Sequence, residues 1–110
     1  MDLEIDIVNK KEKSIIYLFG EIDLYTAPKL KKAILPLTEK SGYQIVVDFD
    51  EVNYMDSTGL GVFISVLKST KEHDSHFKII NLDDKVFRLF KITGLDEIIE
   101  VHSKSRSEVE

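Results

Sequence analysis

A chain of 110 residues, 43% hydrophobic and 32% charged, has the composition of a single globular domain. It contains no cysteine, which excludes disulfides and thiolate metal sites and suits a cytoplasmic protein. Its 15 basic and 20 acidic residues give a formal charge of −5, set against nucleic acid and anionic membranes and pointing to a protein partner.

The N-terminal MDLEIDIVNK has no basic region, so no signal peptide is expected. The apolar runs at 15–19 and 62–64 fall short of the roughly 18 to 20 residues that a membrane span requires. Residues 2–8 alternate, with Leu3, Ile5 and Ile7 on one face and Asp2, Glu4 and Asp6 on the other, which predicts a half-buried strand. The polar run 9–13 reads as a hairpin loop, and 15–19 as a second strand closed by Gly20. Thr26 or Tyr25 then precedes a helix with Pro28 early in it, where the missing N–H costs nothing. Ala27, Leu30, Ala33, Ile34 and Leu37 keep helical spacing, and Pro36 kinks or ends the helix. Beyond the turn Ser41-Gly42, Ile45-Val46-Val47 is a β-branched strand of the kind buried on both faces.

The stretch YMDSTGLG, residues 54–61, leads into a helix whose stripe is Leu60, Phe63, Ile64 and Leu67, widened by Val62 and Val66. Residues 77–82 form a further strand. Asp83 or Asp84 caps a helix with the stripe Val86, Phe87, Leu89 and Phe90, and Thr93-Gly94 stops it with a left-handed glycine. Ile98, Ile99 and Val101 make a short last element. The expected order is β-β-α-β-α-β-α plus that element: one α/β domain, a mixed, largely parallel sheet with amphipathic helices over residues 1–102. Residues 103–110, SKSRSEVE, have little to bury and are expected to fray.

Asp56, Ser57 and Thr58 stand where the unpaired N–H groups of a helix start need acceptors. A cap uses one of them, yet three are adjacent. Gly61 falls inside the helical run at a cost of about 0.5–1 kcal/mol against alanine. Small residues around a hydroxyl leave room for another molecule to approach closely. A phosphate on that hydroxyl would add about −1.5 to −2 charge, which the helix start tolerates but a partner fitted to the bare hydroxyl does not.

GEIDLYTAP, then YMDSTGLGVF, then RLFKITGLDEII resemble the anti-sigma factor antagonists of the STAS domain family. The resemblance covers about residues 1–101 and is nearest to the general-stress branch, with the sporulation branch related. A lone DSTG would be unspecific; the combination is not. The resemblance implies partner switching, in which the unphosphorylated antagonist binds an anti-sigma factor that is also a serine kinase and so frees the sigma factor. That kinase inactivates the antagonist by phosphorylation, and a PP2C-type phosphatase restores it. Carried onto this chain, the implied phosphoacceptor is Ser57, with Thr58 as the alternative because the sporulation pattern DSSG marks that position. Asp23 matches an acidic residue near the kinase contact, and the implied binding surface is Asp23, Asp56, Ser57, Thr58, Gly59, Leu60 and Gly61. The family implies a stand-alone binding module with no catalysis, cofactor or metal of its own, and the absence of flanking sequence favours that over a domain of a larger assembly.

Three other patterns invite chemical readings, two enzymatic and one of a metal site. Asp48-Phe49-Asp50-Glu51-Val52 follows an apolar strand, as in magnesium-dependent aspartyl-phosphate hydrolases with Asp48 as nucleophile at the strand's C-terminal end. The downstream basic residue and further carboxylates of such a site have no convincing set here, although Asp83 and Asp84 stand in the right region. His73-Asp74-Ser75-His76 has two imidazoles but no third defined ligand, and reads better as a polar loop. A serine hydrolase reading of Ser57 lacks both the G-x-S-x-G elbow and a placed histidine.

Overall fold

The alternating N-terminal segment finds its partner in the segment that follows it. In the computed structural model, which describes residues 2–104, β1 (Leu3–Asn9) runs antiparallel to β2 (Lys13–Ile22), with Leu3 opposite Gly20 and Asn9 opposite Ser14. The Lys10 N–H donates to the Lys13 carbonyl at 2.7 Å and closes the hairpin loop. β2 does not end at Gly20, as the expected boundary had it, but continues to Ile22. The glycine stands at φ +126°, and a Cβ there would lie 2.2 Å from the Asp2 carbonyl oxygen. Only glycine lets the two backbones approach so closely.

From β2 the sheet grows by parallel addition of β3 (Gln44–Met55), β4 (His76–Leu82) and β5 (Glu100–Ser103), in the spatial order β1-β2-β3-β4-β5. Each parallel step needs a crossover, supplied by α1 (Ala27–Ile34), α2 (Ser57–His73) and α3 (Asp84–Ile92). The sheet is therefore mixed and mostly parallel, as the element order led one to expect. α1 stops as an α-helix at Ile34 and tightens into a 3-10 turn, Leu35–Glu39, because Pro36 has no N–H to continue the ladder. Gly94 closes the α3 region in the left-handed conformation at φ 76°.

Register concentrates the core on one face of the sheet. Ile16 pairs with Val47 and Val47 with Ile79, and all three are fully buried. Leu30, Ile34, Val66 and Phe90 cover them from the helices. Phe63 of α2 is the hub, with ring centroids 5.7 Å from Phe49, 6.3 Å from Phe77 and 6.5 Å from Phe90. Neighbouring residues of alternate parity point the other way: Val8 and Phe19 are exposed and Tyr17 is half-buried.

Further expectations shift beyond the end of β2. β3 runs well past Val47, because β2 pairs with it as far as Met55 through two register irregularities that keep the long strands together. In α2, Ile64 of the expected stripe lies at the surface, while Gly59 and Thr70 are buried instead. Ser103, assigned by sequence to the tail, is the last residue of β5 and is buried. The remaining tail, residues 105–110, lies outside the described residues. Among the described residues no helix is long and apolar enough to cross a membrane.

Candidate functional site

Where β3 gives way to α2, Asp56 keeps an extended backbone at φ −107°, ψ −171°, and its side-chain oxygen accepts the Thr58 N–H at 2.9 Å. Its own N–H donates to the Ile22 carbonyl at 3.2 Å, tying the end of β3 to the end of β2. The cap is thus Asp56. Ser57, the first helical residue, is exposed, and its hydroxyl makes no hydrogen bond among the described residues. Thr58 is half-buried and its hydroxyl is likewise without an intramolecular partner among them. Of the three adjacent oxygen-bearing residues, Asp56 alone makes a side-chain hydrogen bond among the described residues.

The two glycines of this turn differ in what surrounds them. A Cβ on Gly59 would meet Met55 Cγ at 2.4 Å, Met55 Sδ at 2.7 Å and Ile22 Cγ2 at 2.9 Å. Gly59 is therefore a packing residue that lets the helix start sit directly on the sheet ends. A Cβ on Gly61 would meet nothing within 4 Å, and Gly61 is exposed. Leu60 is 6% exposed and belongs to the core. Of the implied binding residues, Gly59 and Leu60 shape the surface from beneath, while Ser57, Thr58 and Gly61 face outward.

Asp23 lies on the loop from β2 to α1, and its carboxylate is occupied locally. One oxygen accepts the N–H groups of Tyr25 at 2.9 Å and Thr26 at 3.0 Å. In return Thr26 Oγ1 accepts the Asp23 N–H at 2.9 Å and donates to the Glu21 carbonyl at 2.8 Å. This reciprocal arrangement winds the chain into α1 from Thr26, one of the two residues expected there. It also pushes Leu24 and Tyr25 outward, to 64% and 83% exposure. Sequence reasoning missed both. Their signal was two large apolar-bodied residues that belong to no periodic stripe, between a strand and a proline.

The Asp23 loop and the start of α2 meet in one surface depression of about 380 Å³, lined by Leu24, Ala27, Pro28, Thr58, Gly61 and Val62, with Lys31 at its side. A shallow, largely apolar recess beside an unpartnered hydroxyl suits a protein surface rather than a small substrate.

The rival sites separate from this one. Asp48 stands in the first half of β3, not at its C-terminal end, so the placement that the alternative hydrolase reading requires does not arise. Its carboxylate accepts the Asp50 N–H at 2.9 Å and Asn81 Nδ2–H at 3.2 Å. Asp50 is exposed and pairs with Lys104 at 3.3 Å. Asp74 caps the C-terminus of α2 at φ 57°, and buried Ser75 donates to the Thr38 carbonyl at 2.7 Å. His73 Nδ1 lies 2.9 Å from the Ser69 carbonyl oxygen. Among the described residues no three histidine or carboxylate side chains gather as a cation site.

Comparison with known proteins covers nearly the whole chain. The STAS domain profile matches residues 4–108. A relative from Listeria monocytogenes, named anti-sigma-B factor antagonist, is 46% identical over 102 residues, covering 92% of this chain and 90% of that protein. One of the same name from Bacillus subtilis is 38% identical over 110 residues, the whole of both chains. The crystal structure of an anti-sigma factor antagonist from Mycobacterium paratuberculosis shares the fold with a TM-score of 0.81 at 24% identity, covering 92% of this chain and 86% of that one.

Proposed function

This chain belongs to the STAS domain family, and on that premise we propose that it is an anti-sigma factor antagonist switched by phosphorylation of Ser57. Unphosphorylated, it binds an anti-sigma factor through the start of α2 and the Asp23 loop, and the sigma factor is released. The anti-sigma factor is also the kinase: Ser57 Oγ attacks the γ-phosphorus of ATP, loses its proton, and ADP departs. A PP2C-type phosphatase hydrolyses the ester, returning the hydroxyl and inorganic phosphate. The chain supplies a substrate hydroxyl and a docking surface, not the catalyst, and works in the cytoplasm beside the transcription machinery.

The observation that carries this reading is the division of labour at the helix start. Because Asp56 accepts the Thr58 N–H, the fold does not need the Ser57 hydroxyl. A phosphoryl group there adds about −1.5 to −2 charge next to the positive end of α2, which accommodates it. The fold survives, and the surface changes sign and bulk beside Asp56. Docking is lost at the interface rather than by unfolding.

Incubation with the cognate kinase and ATP tests the assignment. Mass spectrometry is expected to find one phosphoryl group on Ser57, abolished in Ser57→Ala and retained in Thr58→Ala. The reverse pattern would make Thr58 the acceptor. Ser57→Asp is expected to weaken kinase binding by at least about 10-fold, since uncompensated charge at an interface costs that much or more. Its thermal midpoint should stay close to that of the parent chain.

A further inference from the structure

The second surface feature beside this site is basic, in a chain that is otherwise acidic. Residues 24–38 contain three lysines and no acid, although the chain as a whole carries 20 acidic residues. The three lysines, Lys29, Lys31 and Lys32, stand exposed on α1. Lys29 is committed to the fold, since its ammonium donates to the Leu3 carbonyl. The ammonium groups of Lys31 and Lys32 make no hydrogen bond or ion pair among the described residues. Together with Pro28 and Leu35, the lysines line a depression of about 600 Å³. That depression shares Pro28 and Lys31 with the one beside Thr58 and Gly61. The two are one continuous surface.

We infer that the lysine face of α1 is the second half of the docking surface and receives an acidic segment of the same protein that docks at Ser57. This rests on the reading of Ser57 given above. Two lysines are too few to hold an anionic membrane, which takes clusters of about 4 to 8 basic residues. They are also too few to overcome the repulsion between nucleic acid and a chain of net charge −5. They suffice to orient a protein. Asp56, beside Ser57, is the negative end of this surface, and Lys31 and Lys32 on α1 are its positive end. A partner of opposite pattern is steered in and held in one register, and a partner turned end for end meets like charge at both ends.

Association kinetics with the cognate anti-sigma factor, measured across a range of salt concentrations, test the inference. Lys31→Glu combined with Lys32→Glu is expected to slow association about 10-fold or more at low salt, the scale of electrostatic steering, and to flatten the salt dependence. Its thermal midpoint should fall by only a few degrees, because both side chains are exposed and make no internal bond, and only their favourable place in the last turn of α1 is lost. Unaltered association in this variant, with Ser57→Asp still blocking docking, would overturn the inference and leave the Ser57 switch standing. If Ser57→Asp also docks normally, the switch itself fails, and the inference with it. Faster association of the charge-reversed variant would mean a basic partner surface and overturn the inference. So would wild-type binding to phosphatidylserine vesicles that the variant loses, which would assign the face to lipid.

Discussion

Gly59 and Gly61 lie two positions apart in the first turns of α2, and substituting each one separates packing from docking. Alanine at 59 drives a methyl into Met55 and Ile22, both buried, and is expected to cost about 1–3 kcal/mol through overpacking. The check is a lower urea midpoint with an unchanged slope. Alanine at 61 meets nothing and is expected to raise stability by about 0.5–1 kcal/mol through helix propensity. The same methyl stands in the recess beside Thr58, so partner affinity should fall while the urea midpoint rises. Asp23 admits a similar separation. Its oxygen holds the N–H groups of Tyr25 and Thr26, so Asp23→Ala should loosen the loop at about 1 kcal/mol, the usual worth of a cap. Asparagine retains an acceptor without the charge. Binding restored by Asp23→Asn would make Asp23 a positioning residue; binding still lost would mean that its charge meets the partner.

At the scale of elements, the chain ends its helices by local chemistry that can be altered one residue at a time. Asp74 closes α2 in the left-handed conformation at φ 57°, where a Cβ is strained, and its carbonyl receives the Gly42 N–H at 2.8 Å. Asp74→Gly keeps that backbone bond and removes the strain, and is expected to stabilise the domain by up to about 1 kcal/mol, visible as a raised thermal midpoint. Much of this was legible in the residues themselves: Asp83 as a cap, Gly94 as a stop, Pro36 as the end of α1. The strand lengths were not. Gly20 reads as a terminator until the Asp2 carbonyl is seen against it, and Asp48 reads as a strand end until β3 is seen to continue to Met55. In both cases pairing with a neighbouring strand overrides the local preference, and pairing partners are not written in a segment's own residues.

Across the whole molecule, Phe63 joins α2 to β3, β4 and α3 through Phe49, Phe77 and Phe90. Phe63→Ala is expected to cost about 3–5 kcal/mol, as for other buried aromatic truncations, and to unfold all elements together. Circular dichroism and tyrosine fluorescence should then report a single, coincidently lowered transition. The same packing suits the proposed surface switch. The helix start rests on the sheet end through Gly59, so phosphorylation of Ser57 as proposed would change the exposed face and leave the core beneath it alone.

The residues alone determined the class of fold, the three helices, the capped start of α2 and the hydroxyls beside it, because periodicity, caps and turn glycines act over a few positions along the chain. Only the tertiary structure decided that Asp56 and not Ser57 makes the cap, and that Gly59 packs while Gly61 stands open. It alone brought Leu24, Pro28 and Lys31 to the same surface depression as Thr58 and Gly61. Those facts depend on which segments lie side by side, and that is set by the burial of one sheet face under helices far apart in sequence.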